Sequence, residues 1–127
     1  MLSSSLYIGP TPSMGLGVFT RSAIPKDQLI EESPVIVMSG EERTLLDQTR
    51  LYNYIFEWGE NSEACCMALG YIAMYNHSYA SNCEYEMDFD AHTISIRTIR
   101  AIAAGEQLFI NYNGDWDDTR PVWFPAE

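Results

Sequence analysis

The chain has 127 residues, of which 46% are hydrophobic and 13% aromatic, so it is long enough to bury one core and too short for two. Lys and Arg number 7 against 18 Asp and Glu, which argues against nucleic-acid binding because phosphates are bound mainly by Lys and Arg. The formal net charge of −11 favours a basic partner instead, although acidic surfaces also simply keep proteins soluble.

The start of the chain and its cysteines indicate an intracellular protein. No segment approaches the roughly 20 consecutive apolar residues of a membrane span, and the opening MLSSSLYIGPTPSM lacks the basic and apolar regions of an export signal. Cys65, Cys66 and Cys83 are an odd number without CxxC spacing, which argues against disulfides and against structural zinc. We expect buried free thiols, in a protein of the nucleus or the cytoplasm depending on its host.

The first half of the chain predicts short strands and one helix. Ser39, with Glu42 three residues later, is typical of a capping box that opens a short helix. Residues 25–27, Pro-Lys-Asp, predict a turn between the first two strands. Three segments rich in β-branched and apolar residues are the predicted strands: GLGVFT (15–20), QLIEES (28–33) and PVIVMS (34–39).

The second half continues in strands after one ambiguous segment. Residues 62–75 fit a helix or a buried strand; we favour a short helix, although Gly70 weakens one by about 1 kcal/mol. CEYEMDF and HTISIRTI alternate apolar and polar side chains, which predicts an antiparallel pair turning at Asp90-Ala91. A last strand, residues 106–112, precedes an aromatic tail. Taken together, the predicted elements indicate one compact, mostly β domain.

Four motifs follow one another along the chain, and each alone is weak, since a Gly-x-Gly is usually a tight turn and a lone His usually a satisfied polar residue. They are Gly15 and Gly17 in GLGVF, Tyr54 before Phe56, Asn76-His77-Ser78 in YNHSYASNCEY, and Tyr112 at the end of AGEQLFINY. In this order and spacing the chain resembles the SET-domain protein lysine methyltransferases, in particular their minimal stand-alone members of viral and bacterial type.

The resemblance implies a fold and a reaction. The fold would be mostly β with short helices: a β-clip-like SET domain of several small sheets over residues 1–127, with a C-terminal pseudoknot and a post-SET-like tail at 113–127. The reaction would transfer a methyl group from S-adenosylmethionine to a lysine ε-amine in a basic segment, such as a histone or ribosomal-type tail. By similarity, a homodimer is plausible. No membrane or direct nucleic-acid partner is implied.

The resemblance also assigns cofactor residues. The Asn76 amide would hold the amino-acid portion of the cofactor, because an amide can both donate and accept. His77 would contact the adenine through its backbone, so that its imidazole need not titrate. Without the other motifs, residues 76–78 would be an ordinary turn. The expected cofactor-binding residues are Gly15, Leu16, Gly17, Tyr54, Asn76, His77 and Trp116.

For the transfer itself, a lysine amine with a reference pKa of about 10.4 must lose its proton, and desolvation beside a sulfonium lowers that pKa. No dedicated base is then needed, and the expected catalytic residue is Tyr112, whose hydroxyl would orient the amine. Tyr54 and Tyr75 are equally explained by core packing. Ile110 stands where the family often carries the Phe or Tyr that tunes how many methyl groups are added. The expected substrate channel comprises Tyr75, Ile110, Tyr112 and Trp116.

Departures from the family pattern leave alternatives open. Tyr79 replaces the zinc-binding cysteine that often follows the Asn-His-Ser run, so no metal is expected. Trp116, Trp123 and Phe124 could close the channel instead, or could simply cover the core. Two other functions remain: a catalytically silent SET-like module that binds basic peptides, and a hydrolase using His77 with Ser78 or a cysteine.

Overall fold

The computed structural model of the protein describes residues 1–114 and 117–122. Within them the chain is mostly β, as the sequence predicts, with one α-helix, α1 (Gly40–Leu46), and two 3-10 helices, Arg50–Asn53 and Ile72–Met74. The strands are β1 (Leu6–Pro10), β2 (Leu16–Thr20), β3 (Leu29–Met38), β4 (Phe56–Trp58), β5 (Ala64–Ala68), β6 (Asn76–His77), β7 (Cys83–Asp88), β8 (Thr93–Thr98) and β9 (Gln107–Ile110).

One sheet brings three distant motifs of the sequence together. Its strand order is β1-β2-β9-β6, with antiparallel pairing of β2 to both β1 and β9. The short strand β6 pairs with β9 in parallel, Asn76 opposite Phe109 and His77 opposite Ile110. The Gly-x-Gly strand, the Asn-His run and the segment leading to Tyr112 therefore lie side by side. The C-terminal pseudoknot stays a prediction.

The second sheet has the order β4-β5-β3-β8-β7 and corrects one prediction. Residues 28–33 and 34–39 do not form two strands: they contain the whole of the ten-residue β3, which continues through Pro34. Pro34 stands where β3 changes its partner from β8 to β5. A missing amide hydrogen disturbs the ladder least at such a point.

The two outer strands of this sheet approach each other through aromatic pairs. The ring of Phe56 in β4 lies 5.6 Å from that of Tyr85 in β7, edge to face. Trp58 and Phe89, one residue beyond β7, form a second such pair at 4.9 Å. The sheet therefore curves until its first and last strands face each other.

The segment 62–75 was expected to form a short helix, and that prediction is wrong. It forms β5, followed by the 3-10 helix Ile72–Met74. Cys65 and Cys66 are buried because β5 lies between β4 and β3. Gly70 has φ +62, a left-handed conformation that ends regular structure, and a Cβ there would overlap Glu31 and Ser33.

Other local predictions are confirmed. Ser39 caps α1, its hydroxyl accepting from the amide of Glu42 at 3.2 Å. β7 and β8 form the expected antiparallel pair, closing with Asp88 opposite Thr93. The three cysteines are free and buried.

Two kinds of feature are absent from the described residues. No helix there is long and apolar enough to cross a membrane. No group of three or more His, Cys, Asp or Glu side chains there is arranged to hold a metal ion.

Candidate functional site

Asn76 lies where β6, β9 and the start of β2 meet. Its Nδ2 donates to the backbone oxygen of Leu16 and to Oε1 of Gln107, both at 3.0 Å. Because both partners are acceptors, the amide nitrogen must face them, which leaves the carbonyl oxygen Oδ1 as the group that can accept from a ligand. Leu16 and Asn76 were expected at the site, whereas Gln107 was not.

Gly17 allows this close approach. A Cβ built on it would lie 2.5 Å from Gln107 Oε1, 2.9 Å from Asn76 Nδ2 and 2.9 Å from the methyl carbon of Thr11. Atoms cannot approach so closely without displacement, so only glycine leaves the amide pair of Asn76 and Gln107 in place. The second glycine of the motif thus shapes the floor beneath Asn76 rather than lining a cavity itself.

A cavity of about 530 Å³, here the first cavity, opens above this floor. Four of its lining residues were not singled out from the sequence: Met14, Asn53, Ala73 and Met74. Five others were: Gly15, Leu16, Tyr54, Asn76 and Tyr112. The fold thus gathers residues up to 98 positions apart, Met14 to Tyr112, around one space.

The second cavity, of about 560 Å³, adjoins the first. Its apolar wall comes from both outer strands of the curved sheet: Phe56, Tyr85, Met87 and Phe89. Glu57 and Arg120 are charged residues in its lining. The two cavities share Asn53, Tyr54, Ala73 and Tyr112, so these residues form the boundary between them.

Tyr112 is held in place at this boundary by two hydrogen bonds. Its hydroxyl donates to the backbone oxygen of Tyr75 at 2.6 Å, and its amide donates to Nδ1 of His77 at 3.0 Å. Burial, with Tyr54 and Tyr85 close by, raises the pKa of the Tyr112 phenol to about 12. The phenol therefore stays neutral near pH 7 and keeps the proton that it donates to the Tyr75 carbonyl.

His77 is a buried support for Tyr112 and lines neither cavity. Since Nδ1 accepts from the Tyr112 amide, the ring is neutral, and burial lowers its pKa below the ordinary 6.5. Stability from the neutral ring is complete above that value and is lost as the pH falls from it towards the lowered pKa. Ser78 Oγ accepts from the amide of Ala80 at 3.0 Å.

Two residues expected in a substrate channel lie in the core instead. Tyr75 is 1% exposed and its hydroxyl donates to Glu31 Oε1 at 2.9 Å. Ile110 is fully buried in β9, and neither residue lines either cavity. In the described structure Tyr75 contributes its backbone oxygen to Tyr112 and Ile110 packs in the core, and their place in a substrate channel stays a prediction.

Three predicted residues, Trp116, Trp123 and Phe124, lie outside the described residues. Two residues that line the second cavity, Tyr85 and Met87, were not predicted from the sequence. The period-two pattern of β7 places both on one face of the strand and could have indicated them. Asn53 and Ala73 lie in or next to 3-10 helices, where no periodicity signals a cavity wall.

Comparison with known proteins gives a consistent result. The SET domain family model matches residues 15–113. A Schizosaccharomyces pombe protein described as a histone-lysine N-methyltransferase, H3 lysine-37 specific, is 35% identical over 128 residues, which span 100% of this chain and 82% of that protein.

Solved structures agree in fold. A candidate histone methyltransferase from Plasmodium falciparum superposes with a TM-score of 0.67 at 28% identity, covering 91% of this chain and 98% of that one. A humanized mutant of the Chaetomium thermophilum Polycomb Repressive Complex 2, bound to an inhibitor, gives a TM-score of 0.72 at 21% identity. It covers 87% of this chain and 15% of that one, and it supports the fold alone.

Proposed function

This chain belongs to the SET-domain family and is a protein lysine methyltransferase, and from that premise we propose its cofactor and its substrate: S-adenosylmethionine in the first cavity and a lysine of a basic protein segment in the second. The observation that carries the proposal is the position of Tyr112, which lines both cavities at their boundary. A residue there can contact a methyl donor on one side and an amine on the other.

The first cavity fits a zwitterionic, adenine-bearing cofactor. Asn76 offers Oδ1 to an ammonium group, because its Nδ2 is already bonded to Leu16 and Gln107. Gly15 and Leu16 leave backbone atoms accessible to a ligand at the cavity wall, and Met74 supplies an apolar surface. His77 would act indirectly, by holding Tyr112 and pairing β6 with β9, in addition to the backbone contact with adenine that similarity implies.

At the boundary, the residues orient a neutral amine rather than deprotonate it. When bound, S-adenosylmethionine supplies an electrophilic methyl group on a sulfonium. The boundary residues Asn53, Tyr54, Ala73 and Tyr112 include no carboxylate and no imidazole, so the lysine amine would lose its proton to solvent before it enters. The Tyr112 oxygen would accept an N–H of the amine and so orient the amine for methyl transfer. Such alignment can supply about 7 to 11 kcal/mol of the barrier lowering.

The second cavity suits a lysine in an extended peptide. Tyr54, Phe56 and Tyr85 supply aromatic walls for the four methylenes of lysine. The peptide main chain would lie along β4 or β7, the outer strands of the sheet, because an outer strand offers backbone groups for strand addition. Glu57 in the lining forms a salt bridge with Arg43 through Oε1 at 3.1 Å, so its Oε2 would be the oxygen that meets a basic residue beside the lysine.

Incubation with labelled S-adenosylmethionine tests the proposal. The protein is mixed with core histones, ribosomal proteins and a cell lysate, and labelled residues are identified by mass spectrometry, with Tyr112→Phe as the matched control. We expect label on lysine side chains of basic segments. Cofactor binding by calorimetry without transfer to any fraction would instead support a silent peptide-binding module.

Methyl transfer to a basic peptide is expected to weaken with rising ionic strength. The formal net charge of −11 attracts basic segments, and added salt screens that attraction. Between about 50 mM and about 500 mM salt we expect the peptide KM to rise several-fold while kcat changes little. A peptide with the same lysine and neutral flanking residues is the control. An equal response of both peptides would contradict electrostatic recruitment.

A further inference from the structure

Glu31 is a carboxylate buried in the core, away from both cavities. It is 0% exposed and accepts three hydrogen bonds. Oε2 accepts from Ser33 Oγ at 2.7 Å and from the amide of Tyr71 at 2.8 Å, and Oε1 accepts from the Tyr75 hydroxyl at 2.9 Å. Burial of a carboxylate is unfavourable unless its oxygens are satisfied, so these bonds fix its position.

Two of the three bonds hold the 3-10 helix Ile72–Met74 at its two ends. The Tyr71 amide stands immediately before the helix, and Tyr75 immediately follows it. One side chain therefore bridges residues 71 and 75 from the β3 side. Gly70 allows the Glu31 carboxylate to approach the segment this closely, because any Cβ at residue 70 would overlap it.

The same segment forms part of the site. Ala73 lines both cavities and Met74 lines the first. The backbone oxygen of Tyr75 accepts the Tyr112 hydroxyl at 2.6 Å, and the next residue is Asn76. A rotation of the Tyr75 peptide unit would thus turn the Tyr112 hydroxyl and redirect the oxygen lone pairs at the boundary.

We propose that Glu31 is a positioning residue for methyl transfer: its carboxylate clamps residues 71–75 so that the Tyr75 carbonyl holds the Tyr112 hydroxyl in its productive orientation. The proposal rests on the proposed role of Tyr112. Glu31 touches neither substrate nor cofactor, and it acts through the phenol and the peptide unit of Tyr75. Loss of the clamp should therefore slow the chemical step more than it weakens binding of cofactor or peptide.

Three single variants and one double variant test this. Tyr75→Phe removes the Glu31–Tyr75 bond and keeps the Tyr75 backbone. Ser33→Ala is the matched control, because it removes another buried bond to Glu31 that does not reach the 71–75 segment. Tyr112→Phe and the double variant Tyr75→Phe/Tyr112→Phe complete the cycle. Thermal unfolding and steady-state kinetics are measured on each at a temperature where all are folded.

We expect Tyr75→Phe and Ser33→Ala both to lower the melting temperature, but only Tyr75→Phe to lower kcat, by about fivefold to tenfold with little change in either KM. In the Tyr112→Phe background, Tyr75→Phe should lower kcat almost no further, because the Tyr112 hydroxyl through which Tyr75 would act is already gone. If Glu31 only stabilises the fold, Tyr75→Phe and Ser33→Ala should have equal kcat, or the double variant should show additive losses of kcat.

The outcomes separate the two proposals. If Tyr112→Phe is slow while Tyr75→Phe turns over like the unmodified protein, the clamp is refuted and the role of Tyr112 stands. If Tyr112→Phe itself turns over normally, the role of Tyr112 falls and the clamp falls with it. Glu31→Gln, which keeps the shape of the side chain, serves as a second probe and should also lower kcat more than Ser33→Ala does.

Discussion

Replacement of Tyr112 by phenylalanine is expected to lower kcat for a lysine peptide by at least about tenfold, equivalent to about 1.4 kcal/mol of transition-state stabilisation. The change removes one oxygen at the boundary of the two cavities and keeps the ring that packs there. Without that oxygen, the amine loses the acceptor that we propose orients it for transfer. Single-turnover methyl transfer, at saturating cofactor and peptide, measures the effect directly.

Tyr7→Phe is the matched control for this experiment. Tyr7 lies in β1, stacks on Phe19 at 5.6 Å and carries Arg21 over its ring at 4.9 Å. Its hydroxyl lines neither cavity, so its removal should leave transfer unchanged. Equal turnover of Tyr112→Phe and Tyr7→Phe would show that Tyr112 only packs.

The pH profile of the unmodified protein gives a second measurement on Tyr112. With its pKa raised to about 12, the phenol keeps its proton throughout the range in which the protein is assayed. The free lysine amine, in contrast, becomes neutral as the pH approaches its reference pKa of about 10.4. We therefore expect kcat/KM for the peptide to rise steadily between about pH 7 and about pH 9.5. A falling limb in that range would contradict a neutral phenol as the working form.

Gly17→Ala is expected to weaken cofactor binding by about tenfold to about a hundredfold, the loss that follows when one hydrogen bond to a charged group is broken. The new Cβ would lie 2.5 Å from Gln107 Oε1 and 2.9 Å from Asn76 Nδ2. Both side chains can swing aside, so the fold should survive, but the amide of Asn76 then no longer presents Oδ1 to the cavity. Calorimetric titration with S-adenosylmethionine measures the change.

Gly9→Ala controls for the effect of an added methyl group in this sheet. Gly9 lies directly opposite Gly17 in β1, and a Cβ there makes only ordinary contacts, the nearest at 3.5 Å. Gly9 is buried, but the added methyl group would make no close contact, so we expect cofactor affinity within about twofold of the unmodified protein. Similar losses of cofactor affinity in both variants would mean that Gly17→Ala acts by disturbing the sheet and not by moving the Asn76 amide.

The sequence predicts those parts of the site that depend on special residue types. Gly17 must be glycine because of a close approach, and Asn76 and Tyr112 each carry one functional group that no neighbour can replace. Because each requirement fixes one residue type at one position, it can be recognised in the sequence as part of a motif. Tyr85 and Glu31 cannot be recognised in this way. A tyrosine or a glutamate on an alternating strand has the same local pattern whether it faces a cavity, the core or solvent.

Secondary structure was predictable where local chemistry decides it. The cap at Ser39 and the hairpin of β7 and β8 depend on neighbouring residues, and both predictions are confirmed. The structure of the segment 62–75 depends on distant residues. Residues 64–68 form β5 because β3 and β4 pair with them, and residue 70 must be glycine because Glu31 leaves no room for a side chain. The sequence of the segment shows neither the neighbouring strands nor Glu31.

The contact between the outer strands β4 and β7 also bears on self-association. A strand edge with unpaired backbone groups invites pairing with another copy and, at high concentration, aggregation. Here the ring pairs Phe56–Tyr85 and Trp58–Phe89 join side chains of the two outer strands or next to them. The strand edge that the proposed peptide would occupy is therefore also an edge to which a second copy could add, so bound peptide would compete with self-association.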